Sequence, residues 1–206
     1  MPSPQPEIHE VAQRSPEWYA LRLGRMTASD AGAIATAKSG LDTLCLELAA
    51  ERISGLSAES GFIGEDMERG MKLEEDARIL YEWESGNAVK QVGFISFGEY
   101  AGCSPDGLIG EDGGIEIKCP NNPIFMRVVL ENYVDPKYYA QIQMSLFITG
   151  RKWWDYVAYN PNFKKSLNII RIKPDADKFS AIEKGLAVGE QKIKDIIKNM
   201  EAKSCK

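Results

Sequence analysis

Residues Gly102–Pro120 read GCSPDGLIGEDGGIEIKCP, a strand, a Gly-rich turn and a second strand that together carry an aspartate, a glutamate and a lysine. In GGIEIKCP successive side chains alternate between faces, so Glu116 and Lys118 share one face while Ile115 and Ile117 share the other. A charged pair is thereby backed by an apolar face. Asp106 lies ten residues before Glu116, and the intervening GEDGG accepts turn dihedrals, so a hairpin folds Asp106 back towards Glu116. Hard divalent cations take oxygen ligands, and Mg²⁺ is commonly held by one or two carboxylates, with water and substrate phosphate filling its other positions. A lysine beside such a cation can orient or deprotonate a water, or neutralise charge that builds on phosphorus. The same pattern also describes a solvated hairpin with an ordinary cross-strand ion pair. Asp106, Glu116 and Lys118 are the candidate catalytic centre.

Length and composition set the frame for that hairpin. With 206 residues and 44% hydrophobic content, the chain is expected to form one globular domain, residues 1–206. No apolar run approaches the ~20 residues that cross a bilayer. The opening MPSPQPEIHE has neither the basic nor the apolar part of a signal peptide, so the expected location is cytoplasmic, with no membrane partner. Cys45, Cys103, Cys119 and Cys205 form no C-x-x-C pair, and the only histidine, His9, falls in an N-terminal arm, residues 1–13, expected to be mobile. This disfavours a zinc site, a Ser-His or Cys-His triad and any nuclease built on a histidine. Carboxylates and lysine must carry any catalysis. The net charge of −5 opposes a nucleic-acid partner taken globally. Locally, basic residues gather at Arg14, Arg22 and Arg25 and at Arg151, Lys152, Lys164 and Lys165, while acidic residues concentrate in GEDMERGMKLEED.

Along the chain, Ser15-Pro16-Glu17 reads as an N-cap with proline at the first helical position, opening a helix through Trp18 and Leu21 that ends near Gly24. In MTASDAGAI, Thr27 or Ser29 is placed to cap a second helix, whose N-terminus would suit a phosphate; a plain cap is the alternative. A helix is expected over 41–53, a polar loop at SGLSAESGF, and a long helix from Asp66 to Glu84. On that helix Met67, Met71, Ala77 and Tyr81 form a broad apolar stripe interrupted by Glu74. A carboxylate there must pair, reach the rim or bind a cation, and an i,i+4 pair with Arg78 is the modest alternative. Strands are expected at Val89–Gln91, Phe94–Phe97, Tyr100–Cys103, WWDYVAYN and SLNIIRIKP, with helices opened by Pro123, over 136–149 and from Ala176 to about Met200. The order predicts an α/β or α+β domain without repeats.

WYALRLGRMTAS, GMKLEEDARILYE, GCSPDGL, GIEIKCP and YYAQIQMSLFITGRKWW occur in that order. Together they resemble the lambda-exonuclease and YqaJ family of viral recombinases, within the PD-(D/E)xK nuclease superfamily. The resemblance spans nearly the whole chain. It implies a central mixed β-sheet flanked by helices, a restriction-endonuclease-like core, and Mg²⁺-dependent digestion of one strand of linear double-stranded DNA from its 5′ end. It also implies 5′-mononucleotide products, a 3′ overhang for a single-strand annealing recombinase, and a ring-shaped homotrimer around DNA. By position it makes Asp106, Glu116 and the Ile117 backbone carbonyl metal ligands, with Lys118 and Glu74 catalytic and Gln141 near the active site. Arg22 and Ser29 match the residues that hold the 5′-phosphate, and Met67, Lys38 and Tyr138 are candidate DNA contacts. The implied cofactor is two Mg²⁺ ions roughly 4 Å apart, with Mn²⁺ as a substitute. Two other classes stay open: a DNA-end-binding ring that mainly loads an annealing protein, and an endonuclease of the same superfamily.

Overall fold

The computed structural model describes residues 4–57 and 65–204. Its strands form two four-stranded mixed sheets, where the sequence suggested a single central one. In the first, β1 (Pro6–His9) pairs antiparallel with β3 (Phe94–Phe97), β3 with β4 (Ala101–Cys103), and β4 pairs parallel with the short β2 (Met26–Thr27). In the second, β5 (Gly107–Ile109) and β6 (Gly113–Lys118) make an antiparallel hairpin. Strand β7 (Trp153–Tyr159) runs parallel to β6, and β8 (Leu167–Ile172) antiparallel to β7.

The N-terminal segment departs from the mobile arm expected for residues 1–13, because Pro6–His9 is the edge strand β1 and the His9 ring shares a 2.9 Å hydrogen bond with Ser96 Oγ. Backbone pairing to β3, together with a buried polar partner, fixes what composition alone left open. Val89–Gln91 likewise forms no strand; Lys90 makes a single two-way bridge to Leu108, each N–H donating to the other's carbonyl at 2.8 Å.

Seven α-helices surround the sheets among the described residues: α1 (Pro16–Arg22), α2 (Ala31–Thr36), α3 (Ser39–Ser54), α4 (Glu65–Ser85), α5 (Asn122–Glu131), α6 (Pro136–Thr149) and α7 (Ala176–Ser204). Ser15 caps α1 by accepting from Trp18 N–H at 3.2 Å, with Pro16 at the first helical position. The second helix starts later than expected. Thr27 precedes a 3₁₀ turn, Ala28–Asp30, and its backbone N–H and hydroxyl both donate to Asp30 Oδ2, at 3.0 and 2.8 Å.

Packing explains the arrangement. Ile115 and Ile117 on one face of β6 join Ala77 and Tyr81 of α4 and Val157, Tyr159 and Leu167 in one apolar cluster. The larger core lies around α6, with Phe147 wedged edge-on between Phe97 (5.6 Å) and Phe179 (5.5 Å), tying the first sheet to α7. Gly113 and Gly114, read from sequence as part of the turn, are strand residues opposite Trp153 and Trp154. A Cβ at either would fall within 2.4 Å of an indole ring atom, so only glycine lets those rings lie flat on β6. The turn proper is Gly110–Asp112, with Gly110 at φ +49°. Arg151 Nη1 clamps it by donating to the Gly110 and Gly113 carbonyls at 2.7 Å each.

Candidate active site

The hairpin sets the site. Because Gly107 pairs with Ile115, Asp106 stands beside Glu116 just beyond the ladder, and Asp106 Oδ2 accepts from Ile117 N–H at 2.6 Å. Glu116 is 1% exposed, and its Oε1 accepts from Lys118 Nζ at 2.5 Å and from Gln141 Nε2, reaching across from α6, at 2.7 Å. Its Oε2 is buried and has no hydrogen-bond partner. Lys118 Nζ also lies 5.0 Å from the ring centroid of Tyr138, which stacks on Tyr156. The sequence expectations for Asp106, Glu116, Ile117, Lys118, Gln141 and Tyr138 thus meet in one place.

Glu74 joins them from α4. It pairs with Arg14, Nη2 to Oε2 at 3.9 Å, whereas Arg78 turns to Glu82 (3.5 Å) and Glu75 (4.0 Å), so the i,i+4 alternative is not realised. Arg14, from the loop before α1, is the residue sequence reasoning placed only in a basic group. It holds φ at +67°, a left-handed conformation that costs an L-residue roughly 1–2 kcal/mol. A partly exposed pair as long as that with Glu74 contributes about 0–1 kcal/mol. No residue-type signal marks such a position, since the favoured occupant of a positive φ is glycine.

Charge and burial act against each other here. Burial pushes the Glu116 carboxyl up to about 7, with Asp106 and Glu74 adding to the rise and Lys118 opposing it. Burial also raises Asp106, against the pull of Lys118, the Ile117 N–H and Arg14. Glu74 is raised by burial and then by Asp106, against Arg14, Lys118 and Arg78. For Lys118 burial alone would lower the ammonium, but Glu116 and Asp106 outweigh it and hold it protonated. Three carboxylates resisting ionisation, one with an orphaned oxygen, fit a hard divalent cation on Asp106, Glu116 and the Ile117 carbonyl. Among the described residues no three His, Cys, Asp or Glu side chains are grouped so that they alone could hold a metal ion.

Two clefts meet at this cluster. One, of about 720 Å³, is lined by Arg69, Lys118, Ile124, Lys137, Tyr138 and Tyr156; the other, of about 510 Å³, by Gln13, Lys90, Gly93 and Asp106, and Arg14 and Glu74 border both. A third cleft of about 230 Å³ holds Arg22, Arg25, Thr27 and Asp30. The Arg22 guanidinium lies 4.4 Å over the Trp18 ring, and its Nη1 reaches Ser104 Oγ at 3.5 Å, two residues before Asp106. Ser29 is exposed, its Oγ 2.7 Å from Thr27 Oγ1. Ser104, which also accepts from Trp18 Nε1 at 3.0 Å, is a link that no sequence pattern singles out. Lys38 is exposed at the start of α3 and borders none of these clefts; Met67 falls in the first turns of α4, and its side chain lies outside the described residues.

Residues 17–152 match the model of the YqaJ-like viral recombinase domain. The chain belongs to that family. Among solved structures, the YqaJ-like chain is similar to LHK-Exo, an alkaline exonuclease from Laribacter hongkongensis, at TM-score 0.85 and 32% identity, covering 93% of this chain and 98% of the other. The same figures hold for the complex of LHK-Exo with dAMP. A phage-related exonuclease from Haemophilus somnus 129PT shares the fold at TM-score 0.67 and 16% identity, over 85% of this chain and 96% of its own. No curated protein sequence matches significantly.

Proposed function

We propose that the chain is a Mg²⁺-dependent 5′-to-3′ exonuclease that digests one strand of linear duplex DNA to 5′-mononucleotides and leaves a 3′ overhang. The observation that carries this reading is the buried cluster of Asp106, Glu116 and Lys118, with an orphaned Glu116 oxygen, at the junction of two clefts. Support comes from the similar alkaline exonuclease and from its complex with dAMP, a deoxynucleoside monophosphate of the product class.

Asp106, Glu116 and the Ile117 carbonyl would hold Mg²⁺, which would supply Lewis-acid stabilisation at the phosphodiester. Lys118, kept as an ammonium by its carboxylate neighbours, orients the attacking water and neutralises charge on the phosphorus. Glu74, whose raised affinity for protons suits a base, accepts the proton that water loses. Gln141 fixes the Glu116 carboxylate by its 2.7 Å hydrogen bond. Arg22, stacked on Trp18 beside Ser104, and the exposed Ser29 capture the 5′-phosphate of the digested strand. Three copies of the chain form a ring around the DNA, and the 3′ overhang passes to a single-strand annealing partner. No helix among the described residues is long and apolar enough to cross a membrane.

Linear duplex DNA with and without a 5′-phosphate, set against closed circular DNA in Mg²⁺, tests this. Degradation confined to linear DNA and faster with the phosphate is expected. Rapid attack on the circle would sink the end-dependent reading, and hydrolysis retained in Asp106→Ala would remove the metal-site assignment.

A further inference from the structure

We infer that Arg14 is a substrate-binding residue that takes a backbone phosphate of the strand entering the site. The inference rests on the nuclease reading and adds a residue to it. Among the described residues Arg14 is the one side chain besides Glu74 that borders both clefts beside Asp106, and 43% of it is open to solvent. Its guanidinium reaches Glu74 only at 3.9 Å, without a hydrogen bond. The ion pair is weaker than the left-handed backbone that presents it, so pairing with Glu74 does not explain why an arginine, rather than a glycine, holds φ +67°. Strain of this kind is retained where a side chain is needed at that place.

The charge balance says what the side chain is needed for. Glu74, Asp106 and Glu116 set three carboxyl groups where a polyanion must approach, and Lys118 is engaged with Glu116. Arg14 stands ahead of them, on the ridge between the clefts, with five donors in a planar fork that matches phosphate oxygens. Arg69 and Lys137 lie on the wall of the larger cleft and continue the basic track. When DNA enters, the guanidinium exchanges one Glu74 oxygen for phosphate oxygens, which also frees Glu74 to face the water. Both moves need only a side-chain rotation.

Arg14→Gly gives the discriminating test, because glycine accepts φ +67° and relieves the backbone while deleting the guanidinium. Anisotropy with a 5′-phosphorylated duplex in EDTA should show affinity about tenfold weaker, and the slope of log K against log salt should fall by about 0.9. Thermal unfolding should be unchanged or shifted upward. In Mg²⁺ turnover the loss should appear in KM, with Arg14→Lys recovering part of it. Equal affinity and slope in Arg14→Gly overturn the inference, as does a fall in kcat at constant KM, which would make Arg14 a positioning residue for Glu74. If the wild-type chain binds ends but hydrolyses nothing, the nuclease reading fails while the slope still decides Arg14. A wild-type chain that binds no DNA overturns both.

Discussion

Glu116→Gln should gain stability relative to the native sequence as pH rises towards 8 in the metal-free protein, although it deletes an ion pair. The folded carboxyl sits at about 7 against an ordinary 4.5, chiefly through burial, and the Lys118 contact is already included in that position. A group raised on folding contributes stability that is fully present below its unfolded value and lost as pH rises through its folded value. The interval from 4.5 to about 7 corresponds to roughly 3 kcal/mol. Between about pH 4 and pH 8, the unfolding free energy of Glu116→Gln minus that of the native protein should therefore swing by roughly 3 kcal/mol towards the variant. Urea unfolding in EDTA at several pH values measures it. In millimolar Mg²⁺ the swing should shrink, because a cation on Glu116 and Asp106 favours their ionised forms. A difference that stays flat from pH 4 to pH 8 would refute the claim that burial strains this carboxylate.

Gln141→Leu removes the amide that holds Glu116 Oε1, and hydrolysis should fall about 10–100-fold with end binding intact, as single-turnover rates beside anisotropy would show. Gly114→Ala forces a methyl to 2.4 Å from Trp154, which is fully buried, so unfolding should cost about 1–3 kcal/mol less; an unchanged melting point would contradict the packing assigned to β6. Arg151→Ala frees the carbonyls of Gly110 and Gly113 and should open the hairpin turn to limited proteolysis without displacing α6.

Sequence carried the site further than it carried the sheets. Period-two alternation placed Glu116 and Lys118 on one face and the isoleucines on the other, and Glu74 stood out as a carboxylate in an apolar stripe. The Ser15 cap was equally legible, and it accepts the Trp18 N–H; the cap of the Pro123 helix, Asn121, was not singled out. The two-sheet topology was not: the strand at Tyr100–Cys103 was read and is β4, but β2, which pairs with it, has two residues, too short for any period to register. Gly113 and Gly114 misled because glycine marks both turns and close approach, and only the facing tryptophans decide between them. Arg14 escaped because its meaning lies in a backbone angle. The proposal of Arg22 and Ser29 as 5′-phosphate ligands came from the family resemblance, and the structure adds the Trp18 and Ser104 contacts that hold Arg22.

Asp106, Glu116 and Lys118 all come from one tight hairpin, whereas Glu74 and Gln141 arrive on α4 and α6 from far along the chain. Contacts of short sequence separation close early, and those of long separation late. During folding the hairpin can therefore gather its charges while water still solvates them, and the free-energy cost of stripping that water falls on the docking of the two helices. The event that buries the carboxylates is the same one that delivers Glu74 and Gln141. The hairpin alone thus lacks Glu74 and Gln141, and the whole cluster is assembled only once both helices have docked on it.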